Sequence, residues 1–286
     1  MPSVATLRAR LESSLPEHLS STILMRERAA PLTVSSGVAA LDALIGGLPC
    51  GALTEIAGLD SSGRTGVMIA ALAGATHRQE MCALVDASDS FDPVSATTTG
   101  VNLERLLWVR CNDIPRRKSG ALSAKLGRLE QVLKVTDLLL QAGGFGMVVL
   151  DLGDIAPECA RRVPLTSWFR FRRAVEPTAT VLLLVEQEPC AKTCASLVVR
   201  LEREVVHMRD LALCNGGRVM TGGASGVPES NAASHAALLH GIRVRVEVVR
   251  SSIPSSAKTA LGRDTRWMQR KPVQSAGVNF ELRAKW

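Results

Sequence analysis

Short apolar runs recur through the middle of this chain. Most end in a polar or glycine-rich turn and lead into a segment of helical spacing. Strands are expected at 53–56, 82–86, 106–111, 147–151, 180–185 and 197–202, and helices over 65–80, 93–99, 119–141 and 166–175. The helix at 119–141 sets Leu122, Leu126, Leu129, Val132, Leu133, Leu139 and Leu140 on one period, and Gly143-Gly144 stops it. A short helix is expected near 190–195. The strands are apolar throughout rather than alternating, as strands covered on both sides are. Alternating with helices, they predict an α/β fold with a mainly parallel twisted sheet and helices on both faces. The exception is 242–249, where Arg243, Arg245 and Glu247 alternate with apolar residues, as in an edge strand with one wet face.

Three stretches fall outside this rhythm. Residues 4–19 place Leu7, Leu11, Leu15 and Leu19 on one side of a helix that Pro16 interrupts. That stripe packs on its own domain or docks on a neighbour. Residues 214–237 are rich in Gly, Ser, Ala and Asn and are expected to be a flexible insertion. Residues 251–286 are expected to be weakly structured. The chain therefore divides into an N-terminal helix and linker (1–33), a core (34–250) and a basic C-terminal tail (251–286).

Composition narrows the class. No apolar run reaches the ~18 residues of a membrane span, and the N-terminus lacks an apolar signal core, so no membrane role and a cytoplasmic location are expected. The seven cysteines show no paired metal spacing and sit mostly in apolar runs, which predicts buried, reduced thiols and no metal site. The formal net charge is +7, and the last 36 residues hold seven Lys or Arg against Asp264 and Glu281. Such a tail suits nucleic acid or an acidic partner, or serves only solubility.

The most informative motif is Gly58-Leu-Asp-Ser-Ser-Gly63-Arg64-Thr65, between an apolar strand and a helix. A glycine-rich turn there can wrap backbone N–H groups around phosphate oxygens. Gly58, Ser61, Ser62 and Gly63 shape the loop. Thr65 carries the hydroxyl that would hold Mg²⁺, and Asp151 would reach the ion through water. Arg64 stands where phosphate chemistry wants lysine. Its planar guanidinium is a poor substitute for a compact ammonium among phosphates.

Several stretches resemble the RecA recombinase core. These are Val34-Ser-Ser-Gly37 through Leu41-Asp42, Gly46-Gly-Leu-Pro-Cys-Gly51, the loop itself, Cys82-Ala-Leu-Val-Asp-Ala-Ser-Asp-Ser-Phe-Asp-Pro93, Gly100-Val-Asn-Leu-Glu-Arg-Leu-Leu107 and Val148-Val-Leu-Asp151. The likeness covers roughly residues 34–205 and 242–249. It implies a RecA-like P-loop core in which Gln187 matches the γ-phosphate-sensing glutamine. It also marks departures. Ser88 stands where the water-activating glutamate belongs, with Asp89 adjacent but aimed differently. The second DNA-binding loop is nearly deleted, and the tail is basic where RecA's is acidic. Nucleotide binding would be vestigial, with no catalytic residue and no required cofactor, and ATP with Mg²⁺ left open as a ligand.

A degenerate RecA-like core of this length is similar to the ImuA family of damage-inducible mutagenesis cassettes. That resemblance implies a non-catalytic accessory protein in error-prone translesion synthesis. Its implied partners are an ImuB-type protein and an error-prone C-family polymerase, with RecA and single-stranded DNA as further candidates. The alternatives are a divergent DNA-dependent ATPase that forms filaments, and a SulA-like cell-division inhibitor. Candidate DNA contacts are Arg161, Arg162, Arg170, Arg172 and Arg173, interleaved with Trp168, Phe169 and Phe171, and Arg266, Arg270 and Lys271 in the tail. Rings and guanidinium groups so interleaved suit single strands. The other reading is an amphipathic helix with its rings in the core.

Overall fold

A computed structural model describes residues 32–111, 121–208, 239–252 and 278–283, with backbone alone for 121–126, 207–208, 239–240 and 278–283. The leucine-striped segment at 4–19, the insertion at 214–237 and the tail residues Arg266, Arg270 and Lys271 lie outside the described residues.

Among the described residues a two-stranded ribbon pairs β1 (Thr33–Val34) with β2 (Leu48–Pro49) around α1 (Ala39–Ile45). The main sheet has eight strands: β3 (Ala52–Ala57), β4 (Cys82–Asp86), β5 (Leu106–Arg110), β6 (Met147–Asp151), β7 (Val181–Glu186), β8 (Leu197–Met208), β9 (Leu239–Ser251) and β10 (Val278–Arg283). Their order is β10-β9-β8-β3-β7-β6-β4-β5. The six from β8 to β5 run parallel, and β9 and β10 are added antiparallel. The connecting helices are α2 (Arg64–His77), α3 (Pro93–Thr99), α4 (Ala121–Ala142), α5 (Pro157–Ala160) and α6 (Leu165–Val175).

Period-two alternation divides each central strand between two cores. Leu53, Val148, Leu150, Leu182 and Leu184 face Leu129 and Val132 of α4 and Trp168, Phe171 and Val175 of α6. Ile56, Met147, Val149, Leu183 and Val185 face Leu41 of α1 and Val67, Met68, Ala71 and Leu72 of α2. Every residue of β3, β4, β6 and β7 is buried, which is why these strands carry no polar alternation in sequence. The expected α/β architecture, with helices on both sheet faces, is the one observed.

The far side of the sheet differs from expectation. β8 continues past Glu202 to Met208, where Glu202, Arg203 and Val205 pair with Arg245, Val244 and Arg243 of β9. Its polar residues ended the strand in sequence, yet pairing continues past them, with Glu202 opposite Arg245 as one opposite-charge pair. β9 is not the edge, because β10 covers it. A strand therefore arises within 251–286, and the long-range pairing that creates it leaves no local pattern. The helix expected near 190–195 is a single 3₁₀ turn at Lys192–Cys194. Two short elements, the β1–β2 ribbon and α5, had no expectation at all.

Candidate functional site

Parallel α/β sheets bind ligands beyond the carboxyl ends of their strands, and the predicted residues gather there. The chain leaves β3 at Gly58, turns through Ser61 at φ 61°, and enters α2 through Gly63 at φ 91°. Gly63 caps the helix in the left-handed region, which glycine adopts without strain. Gly58 is required for a different reason. A Cβ there would lie 2.3 Å from Ser62 Oγ and 2.7 Å from the Leu201 carbonyl oxygen.

Arg64 does not reach outward for a ligand. Its side chain folds back and is 6% exposed. The guanidinium donates to the Gly58 carbonyl, to the Gly153 carbonyl at 2.8 Å and to Asp60 Oδ1 at 3.0 Å, with Asp154 Oδ1 at 3.8 Å. It thereby ties the loop after β3 to the turn after β6. The same turn receives two more predicted residues. Gln187 Nε2 donates to the Gly153 carbonyl at 2.9 Å, and the Gly153 N–H donates to Asp151 Oδ1 at 2.8 Å. Arg64, Asp151 and Gln187 thus converge on Gly153. Gly153 itself was missed, although a glycine two residues past a strand-ending Asp is a signal for close packing. A Cβ there would lie 3.0 Å from both Arg64 Nε and Asp151 Oδ1.

Thr65 is exposed on the first turn of α2, and Ser61 is exposed in the loop. Ser62 is 2% exposed and its Oγ has no hydrogen-bond partner. A cleft of about 890 Å³ opens beside the loop, lined by Gly58, Leu59, Ser62, Gln187, Arg200 and Arg203 among others.

Burial is the main force on Asp151. It raises the carboxyl, the Gly153 N–H and Arg64 oppose it, Asp86 and Asp154 add to it, and the net value is about 6. The ordinary value is 3.8. Below about pH 4 the proton is bound whether the chain is folded or not, and the folded state keeps the full benefit. As pH rises through about 6 the folded chain must hold a buried charge and that benefit is lost. Asp151→Asn should therefore raise stability at pH 7.5 by about 1–3 kcal/mol and change it little at pH 4. Urea melts at the two pH values check this. Equal effects at both would contradict it.

β4 ends in Asp86, and the turn after it carries Ser88 and Asp89. Asp86 is buried, and its oxygens accept from the N–H groups of Ser88, Ser90 and Phe91 and from Trp108 Nε1. It serves the turn. Ser88, partly buried, offers no base. Asp89, at φ 58°, is held by both Arg110 Nε and an Arg110 terminal nitrogen, and Arg110 lies over the Trp108 ring.

The arginine segment resolves into core and surface. Trp168 and Phe171 are buried, edge to face with centroids 5.9 Å apart, and only Phe169 is exposed. The stacking reading therefore fails for two of the three rings. Arg170 pairs with Asp137 at 2.8 Å, and Arg161 pairs with Glu188. Arg162, Arg172 and Arg173 show no ion pair among the described residues.

Sequence reasoning also passed over two acids. Glu55 in β3 and Glu186 at the end of β7 are fully buried beside Cys190. Glu55 lies within a buried strand and Glu186 ends an apolar one, which was the available signal. Burial pushes the thiols of Cys50, Cys82, Cys111, Cys190 and Cys194 up, Cys82 to about 12, so these five stay protonated.

Among the described residues no helix is long and apolar enough to cross a membrane. The RecA N-terminal domain family model matches residues 21–159. Protein RecA of Rhizobium rhizogenes is 30% identical over 171 residues, which is 54% of this chain and 43% of that protein. Protein RecA of Brucella canis is 38% identical over 121 residues, 42% of this chain and 29% of that protein. The chain spans less than half the length of the curated relatives it matches. Matches and sheet together support a RecA-like superfamily relationship and a RecA-like core.

Proposed function

We propose that this chain uses a RecA-like core as a non-catalytic docking scaffold in DNA-damage-induced mutagenesis. It would join an ImuB-type protein to an error-prone C-family polymerase, with RecA and single-stranded DNA as further contacts. One observation carries the non-catalytic part. The cation of the phosphate loop is spent on the protein's own carbonyls, Gly58 and Gly153, while Ser88 replaces the acid that would activate water. A loop that satisfies its own charge has less to offer a phosphate. ATP and Mg²⁺ are then unnecessary to the role.

The partner assignment rests on resemblance to the ImuA family. Affinity capture of the tagged full chain from DNA-damaged cells, read by mass spectrometry, tests it. An inactive Y-family polymerase relative and a C-family polymerase are expected. Recovery of division proteins instead would favour the SulA-like reading and overturn this one.

DNA contact would run through the arginine face of α6. Replacing Arg170, Arg172 and Arg173 together with Ala should weaken single-strand binding. It should also flatten the salt dependence by about 0.7 log units per log unit of salt for each lost phosphate contact. Arg170 should contribute least, since Asp137 already holds it. Binding that survives unchanged would reduce this helix to scaffold.

The second reading, a divergent ATPase, draws on Thr65 at the start of α2 and on Asp151. The Asp151 carboxyl, which burial raises to about 6, is ionised above that pH, as this reading requires.

A further inference from the structure

Away from Arg64, three buried side chains meet in a cluster that the scaffold role does not use. Glu55 is 0%, Glu186 1% and Cys190 4% exposed. Glu55 pairs in register with Leu184, so Glu186 is its diagonal neighbour on the same face of the sheet. One ligand atom from each of Glu55, Glu186 and Cys190 lies within 4.8 Å of the other two.

The hydrogen bonds account for only half of this cluster. Glu55 Oε1 accepts from the backbone N–H of Cys190 at 2.9 Å and from that of Ala191, and Glu186 Oε1 accepts from the Cys190 N–H at 3.2 Å. Glu55 Oε2 and Glu186 Oε2 are both buried with no partner. No Lys or Arg pairs with either acid among the described residues. Two adjacent buried carboxyls without a counter-charge are costly, so something positive must sit between them. The choices are a proton or a metal cation.

The donor set decides which we infer. Two carboxylate oxygens and a sulfur, on β3, β7 and the segment after β7, match the mixed O and S ligation that zinc-class cations accept. A shared proton would neutralise the acids alone, whereas a cation would also take the Cys190 sulfur that lies against Glu186. We propose that Glu55, Glu186 and Cys190 form a buried site for a divalent thiophilic cation of the zinc class. The ion would join the two strands that carry Gly58 and Gln187, fixing the loop and the glutamine relative to each other. Binding would displace the thiol proton and the proton on the acid pair, so affinity would fall with pH. This inference does not rest on the partner assignment, and its test involves no partner.

The experiment uses the full chain, stripped of metal by a chelator and then titrated with Co²⁺ and, separately, Zn²⁺. The expected result is one equivalent bound, with a thiolate-to-cobalt charge-transfer band and a raised Tm with Zn²⁺. Cys190→Ser should abolish the band. Glu186→Gln, a neutral variant of the same shape, should weaken binding by at least the ~10–100-fold that loss of an outer-shell partner costs. Circular dichroism confirms that each variant folds. Absence of stoichiometric metal in the folded wild type would overturn the proposal and leave a shared proton in its place. A band that survives in Cys190→Ser would overturn it too, by placing the ion on another cysteine.

Discussion

Replacing Arg64 with Ala should cost about 3–5 kcal/mol of stability in the absence of any nucleotide. The guanidinium makes charge-assisted hydrogen bonds to two backbone carbonyls, Gly58 and Gly153, across two loops. Such bonds contribute about 1.5–3 kcal/mol each, and their loss leaves both acceptors short of a partner in a buried region. Asp60 adds little, since its side chain is 85% exposed. The expected fall in Tm is on the order of 10 °C. Arg64→Lys should fall between, because a single ammonium on a shorter reach cannot bridge both carbonyls as a planar fork does. Thermal and urea unfolding without ligand checks both variants. A loop whose cation serves nucleotide alone would lose affinity and keep its stability. An unchanged Tm in Arg64→Ala would therefore contradict the structural role argued for this side chain.

Much of the fold was legible because burial on both faces writes an unbroken apolar run. Met147–Asp151 and Cys82–Asp86 were placed to the residue, since each is buried throughout and ends at an Asp. Beyond β8, the strand at 242–249 was legible from its alternating charges, but its pairing with β8 and the whole of β10 were not, because those partners lie far apart in sequence. In the site, the places of Arg64, Asp151 and Gln187 at strand ends were legible. What they converge on was not. Gly153 offers one carbonyl to two donors, a contact set by the close approach of two loops. The direction of Arg64 was equally hidden, because sequence gives the charge and not its partner. Glu55 and Glu186 were overlooked for the opposite reason. Each was visible as an acid in an apolar strand, but only the register of β3 on β7 brings them together.

Catalysis is where the largest effect is expected. A positioned acid or base contributes roughly 10²–10⁴-fold, and one preorganised electrostatic donor roughly 10²–10³-fold. On the proposed reading Ser88 stands in place of the first, and the second, Arg64, donates to the chain's own backbone. Asp89 does not substitute, since Arg110 holds it with two hydrogen bonds. Restoring one position alone, by Arg64→Lys or Ser88→Glu, should not rescue turnover, because each leaves the other defect in place. The decisive measurement is steady-state phosphate release by the wild-type chain with saturating ATP and Mg²⁺, with and without single-stranded DNA. No release above background in either condition is predicted, and release that DNA stimulates would contradict the reading of this core as a scaffold.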